Sequence, residues 1–271
     1  MPNAKDAAVE AHKRILLVGR TGSGKTTQIW SLPGRKFGYI FDPNAMSSLR
    51  GCDIDYEEFL PDVLGMDMTL KGFNKGAKSD SLTASREKPE PKIFNKWVDD
   101  FNSKHSKGFF NGYQWLVFDS ATFFTKAVMD RQLFINGRYG EVEDRPDYKI
   151  VGAKVADIFA NISGMKINIL MTGHIATYQD EKTQRIDTQL NLPGRARNSL
   201  PLQFTDIWLA HVTDAEKGAK YLVRTVPDPR GLQDIRCSVP GLAAIEEVTI
   251  KDFKNPTACG IGALLKKARA T

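Results

Sequence analysis

Residues Gly19-Arg-Thr-Gly22-Ser-Gly24-Lys25-Thr26 fit the pattern G-x-x-x-x-G-K-[ST] at every fixed position. Gripping a triphosphate takes many donors at once, and these residue types supply them. Gly19, Gly22 and Gly24 let successive backbone amides turn toward phosphate oxygens, and the intervening Arg20, Thr21 and Ser23, with Thr27 after them, complete the nucleotide-binding stretch. Lys25 is expected to reach the β- and γ-phosphates and otherwise to face solvent, while the Thr26 hydroxyl ligates Mg²⁺. A second site residue lies about a hundred positions on, where the apolar Trp115-Leu-Val-Phe118 ends in Asp119. Downstream of a phosphate loop, a carboxylate so placed holds the Mg²⁺ shell.

Such groups converge only if strands carry them to one edge. Ile15 to Val18 is an unbroken apolar run, suited to a strand buried on both faces, and the helix after the loop runs from about Gly24 through Trp30, before Pro33-Gly34. Phe37 to Phe41 reads as a strand closing on Asp42-Pro43-Asn44. Residues 45–70 are mixed and acidic, and 71–92 turn polar and lysine-rich, as in a mobile insertion. Apolar spacing predicts helices over 93–101, 121–135 and about 148–162. Ile167 to Met171 is a further strand, ending in Thr172-Gly173-His174. Strands alternating with helices predict an α/β fold with a mostly parallel central sheet and helices on both faces.

Beyond His174 the pattern changes. A polar turn, Asp180 to Thr183, separates potential strands, the basic piece Pro193 to Asn198 follows, and 207–212 with 221–225 reads as an antiparallel hairpin. The expected outline is one domain over 1–271, with a core of about 14–230 and a basic tail over 251–271, in which Leu264 to Arg269 reads as a short tail or a helix end. With 271 residues, 26% of them charged, and no apolar run of membrane-spanning length, the chain reads as a cytosolic globular protein without a membrane role. Cys52, Cys237 and Cys259 are too scattered for a disulfide framework or a zinc site. A net charge of +6 permits nucleic-acid binding without requiring it.

These pieces together resemble the RecA-like ATPases of bacteriophages, a family of nucleotide-binding AAA proteins that includes RecA-like single-strand annealing proteins. ILLVGRTGSGKTT, YIFDPN, WLVFDSAT, the helix start Asp147-Tyr148-Lys149, MTGH and YLVRTVPDP follow in the family's order over roughly residues 14–230. The resemblance implies a RecA-type core in which the strand bearing His174 lies between the phosphate-loop strand and the Asp119 strand, making Thr172 and His174 a γ-phosphate sensor. It also implies ATP with Mg²⁺, self-assembly, and work on single-stranded DNA alongside phage recombination or replication proteins. Related enzymes carry a water-activating glutamate where Asn44 stands here. An amide cannot accept water's proton, so either Asp42 or another acid substitutes or turnover is slow.

The first functional expectation is therefore an oligomeric ATPase acting on DNA. Alternatives are a DNA-translocating or packaging motor, and a nucleotide-dependent binding module with little turnover. The family's DNA-binding loop corresponds to Tyr178 to Asn198, which contains Lys182, Arg185, Arg195 and Arg197; the basic C-terminus with Lys266, Lys267 and Arg269 is the next candidate. Arg195, Arg197, Arg224 and Arg230 are candidates for a cation supplied to a neighbour's γ-phosphate.

Overall fold

The computed structural model describes residues 12–61, 90–179, 186–214, 218–228 and 231–267. Most of 71–92, and Lys182, Arg185, Arg230 and Arg269, lie outside the described residues. Strands β1 (Arg14–Gly19), β2 (Lys36–Ile40), β3 (Asp55–Glu58), β4 (Trp115–Asp119), β5 (Asn168–Gln179) and β7 (Asp206–Thr213) form a parallel sheet in the order β3-β2-β4-β5-β1-β7. Antiparallel β8 (Lys220–Arg224) and β9 (Ile245–Glu247) extend it beyond β7, and β6 (Ile186–Leu190) pairs antiparallel with the far half of β5. The α/β expectation is met, and β5 does lie between β1 and β4.

The unbroken apolar runs follow from burial on both faces. In β1, Leu16 and Val18 enter one core while Ile15 and Leu17 enter the other, and β4 divides Leu116 and Phe118 from Trp115 and Val117 in the same way. Helices α2 (Ile93–Ser106), α3 (Ala121–Ile135) and α4 (Arg145–Ser163) cover the first face over an aromatic cluster, in which Trp97 meets Phe124 edge-on at 4.9 Å. The second face is covered by a 3₁₀ turn (Thr26–Ser31), the short α1 (Ala45–Leu49) and a C-terminal helix.

Four expectations need correction. The helix after the phosphate loop is a 3₁₀ helix of six residues, Thr26–Ser31. The acidic stretch after α1 holds the edge strand β3, whose four residues are all exposed and so show no apolar face to read. Strand β5 does not end at Thr172-Gly173-His174: parallel pairing stops with Gly19 opposite His174, and the chain continues to Gln179 by pairing with β6 instead. The expected basic tail contains a docked helix, Gly260–Lys267, with Ile261 and Leu264 buried in the second core.

Register puts the ends of the central strands at one level, with Gly19 opposite both His174 and Ala210, and Ile40 opposite Asp119. Ligands of open α/β sheets bind outside such carboxyl ends. The first face is closed by the turn α5 (Ala196–Ser199), which packs on α4 so closely that a Cβ on Gly152 would stand 2.7 Å from the Arg195 Cβ and 2.8 Å from the Ala196 nitrogen. In an open helix Gly→Ala stabilises by up to about 1 kcal/mol. Here Gly152→Ala should instead destabilise by about 1–3 kcal/mol through overpacking, measured by chemical denaturation.

Candidate nucleotide site

The loop between β1 and the 3₁₀ turn has the shape its glycines require. Gly22 and Gly24 adopt φ of 80° and 81°, and a Cβ on Gly19 would lie 2.4 Å from the Ala210 carbonyl oxygen. A Cβ on Gly24 would lie 2.7 Å from the Tyr221 ring, so β8 leans an aromatic side chain on the loop. Sequence spacing gave no hint of that contact, because Tyr221 lies almost two hundred residues away.

Lys25 does not face solvent. It is 6% exposed, and its ammonium folds back to donate to the carbonyls of Gly19 at 3.0 Å and Arg20 at 2.9 Å. Burial lowers its pKa to about 8, against the raising influence of Asp119 and Asp42. Asp119, at the end of β4, is 1% exposed; its Oδ2 accepts from the Thr26 hydroxyl at 2.8 Å and its Oδ1 from the Thr172 hydroxyl. Burial raises the Asp119 pKa, and the two hydroxyls and Lys25 oppose that rise.

Asp42 follows β2, half-buried, with its carboxylate accepting from the Asn44 amide at 2.8 Å. Its charge acts on Lys25, Asp119 and His174 alike, so it belongs to the same site. Asn44 is exposed at the start of α1. His174 sits beside the loop on β5, its backbone amide donating to the Thr122 hydroxyl at 3.2 Å and its ring edge-on to Phe123 at 6.1 Å. Burial, then the Lys25 charge, lowers the His174 pKa against the raising influence of Asp42, which favours the neutral imidazole. A cavity of about 480 Å³ opens here, lined by Arg20, Thr122, Phe123, His174 and Asn191 among others.

This set fits a triphosphate with Mg²⁺. The Ser23 hydroxyl and His174 Nδ1 are buried without a partner, and the loop is closed to any Cβ at Gly19 and Gly24. Among the described residues no group of three or more His, Cys, Asp or Glu could hold a metal by itself. The donor set is instead one hydroxyl and one carboxylate, and Mg²⁺ commonly takes few protein ligands and completes its shell with phosphate and water.

Of the expected DNA-binding residues, Arg195 and Arg197 are among the described ones. Arg195 is exposed at the start of α5, whereas Arg197 is half-buried, with its guanidinium donating to the Gln189 side chain and to the Leu192 carbonyl and lying 5.7 Å from the Tyr178 ring centroid. Arg197 thus ties α5 to the β5–β6 hairpin. Arg20 of the loop reaches the same hairpin, donating to the Thr177 hydroxyl at 3.3 Å. Arg224 lies on β8, 3.9 Å from Asp228.

The model of a family described as an AAA domain matches residues 11–232. This chain belongs to that AAA-domain family. The AAA domain and its phosphate loop make it a P-loop ATPase by family and fold. Two solved structures are similar: the flagellar accessory protein FlaH of Methanocaldococcus jannaschii, at 10% identity and TM-score 0.39, covering 89% of this chain and 87% of that one; and a KaiC-like protein of Pyrococcus horikoshii OT3, at 14% identity and TM-score 0.40, covering 90% of this chain and 86% of that one. No curated protein matches. No helix among the described residues is long and apolar enough to cross a membrane.

The Lys25 environment carries a pH consequence. Against its two loop carbonyls the ammonium loses its proton near pH 8, whereas phosphates around it would favour the charged form, so binding takes up a proton as pH rises past that point. ATP affinity should be flat below pH 8 and then fall by up to about tenfold per pH unit. Titration calorimetry from pH 7 to 9.5, in buffers of different ionisation enthalpy, reads both the affinity and the proton uptake.

Proposed function

We propose that this AAA domain binds ATP with Mg²⁺, hydrolyses it, and uses the cycle to act on DNA as an oligomer. The observation that carries the nucleotide part is the bonded set Thr26, Asp119 and Thr172 at the mouth of a phosphate loop whose lysine is already inside. Bound Mg²⁺ would draw charge from the β- and γ-phosphates, with Thr26 and Asp119 as its protein-side partners. Lys25 would exchange its two loop carbonyls for phosphate oxygens. Thr172 fixes the Asp119 carboxylate, and a neutral His174 would donate one hydrogen bond to the γ-phosphate.

Water needs a base, and Asp42 is the carboxylate best placed to act as one. Its charge reaches Lys25, Asp119 and His174, while Asn44, at the position of the family's glutamate, is exposed and uncharged. That substitution favours a second reading, a nucleotide-dependent binding module that turns over slowly. Assays of ATP hydrolysis alone, with single-stranded DNA and with duplex DNA separate the two. Under the first reading Asp42→Asn lowers turnover by about a hundredfold or more and Asn44→Glu leaves it unchanged. A gain in Asn44→Glu with no loss in Asp42→Asn would instead support the slow module.

The DNA part rests on the resemblance to phage proteins of recombination and replication, and on the hairpin that Arg20 joins to the phosphate loop and Arg197 joins to α5. Arg195, exposed beside the half-buried Arg197, would be the arginine of α5 to meet a phosphate backbone. Arg195→Ala should weaken single-stranded DNA binding across sequences and reduce the salt slope by about 0.7. Fluorescence anisotropy over a salt series is the measurement.

A further inference from the structure

The 3₁₀ turn that follows Lys25 is too short to hold its own direction, and the C-terminal segment beyond residue 232, where the family match ends, grips it. The central contact is Gln28, 2% exposed and one turn from Lys25, whose backbone amide closes on the carbonyls of Gly24 and Lys25 at 3.2 and 3.1 Å. Both ends of its side-chain amide are used: Nε2 donates to the Val248 carbonyl at 2.9 Å, and Oε1 accepts from the Ile261 amide at 3.0 Å. Beside it the Ser31 hydroxyl accepts from the Gly262 amide at 3.1 Å and donates to the Gln28 carbonyl at 2.7 Å.

A helix begins with amides that have no partner within it. In the C-terminal helix α6 (Gly260–Lys267) two of these, on Ile261 and Gly262, are met by side chains of the phosphate-loop turn. The approach is close enough to require glycine: a Cβ at 260 would stand 2.6 Å from Gln28 Oε1, and one at 262 would stand 1.7 Å from the Ser31 carbonyl oxygen. The same segment holds the residue that leans on the loop, for the Val248 amide donates to the Tyr221 carbonyl at 2.8 Å, the Tyr221 amide donates to the Thr249 hydroxyl at 3.0 Å, and the Tyr221 ring meets Gly24. Phe253 closes the collar edge-on against Trp30, centroids 5.1 Å apart.

We infer that Gln28 is a positioning residue for nucleotide binding, through which docking of residues 248–262 and occupancy of the phosphate loop are thermodynamically linked. The amide suits the place because one end must donate and the other accept. The inference rests on the nucleotide reading of the site and adds to it an element outside the family match. Linkage is reciprocal: if the docked segment favours the binding geometry of Lys25 and Thr26, bound nucleotide must favour the docked segment by the same factor.

Two measurements on the full chain test this. Hydrogen exchange of the wild-type protein, with and without ATP and Mg²⁺, should show the Ile261 and Gly262 amides slowing by about fivefold or more on binding, and by more than the amides of α2 at the opposite side of the sheet. Gln28→Met keeps the volume and removes both hydrogen bonds; ATP affinity should fall by about tenfold, beyond any change in the melting temperature of the nucleotide-free protein. A Gln28→Met protein that melts earlier but binds ATP with unchanged affinity would make Gln28 a core amide and nothing more. Unchanged exchange at 261 and 262 while a fluorescent ATP analogue binds would overturn the linkage and leave the nucleotide reading intact. Failure of the wild-type protein to bind the analogue at all would remove both.

Discussion

A carboxylate buried to 1% exposure is costly unless its oxygens are met, and at Asp119 they are met from two directions. Thr26 comes from the phosphate loop and Thr172 from the neighbouring strand, so one side chain ties together β4, β5 and the turn after β1. The sheet order puts β5 between the other two, and the register levels their ends. Any slip of a strand by one residue would turn Thr172 to the opposite face and leave the carboxylate oxygen unpaired. Lys25 meets a related demand from the cationic side, held by two loop carbonyls in place of water.

What could be read in advance divides by the range of the interaction. The phosphate loop is spelled in consecutive residues, and the strands that carry Asp119 and His174 announce themselves because both of their faces are buried. Local signals also existed where the expectation fell short. The helix expected from about 148 begins at Arg145, because Asp144 and Asp147 form a reciprocal capping box around Pro146. Strand β3 had no such signal, being exposed at every position on the sheet edge.

The largest differences are non-local. Glycines at 260 and 262 look like breakers of an apolar run in a basic tail; only the turn at Gln28 and Ser31, more than two hundred residues earlier, shows why a helix begins there. The hold of Arg197 on the Gln189 side chain and the Leu192 carbonyl has no signal in the sequence, since charge and family resemblance point only to a nucleic acid as its partner. The inward fold of Lys25 is likewise invisible in a motif that specifies residue types and says nothing of where a side chain rests without its ligand.

Strand β5 joins two regimes without a break. Its first half is locked between β1 and β4, and from Ile175 to Gln179 it continues, paired only with β6, past the end of the sheet. Five residues of extended chain beyond His174 span roughly 17 Å. That length has the reach of a lever: a rotation of about 5° at His174, where the pairing changes, would carry the far end of the strand by about 1.5 Å. Arg20 braces that arm against the phosphate loop and Arg197 braces it against α5, so a shift at the loop would be felt at the exposed end of the hairpin.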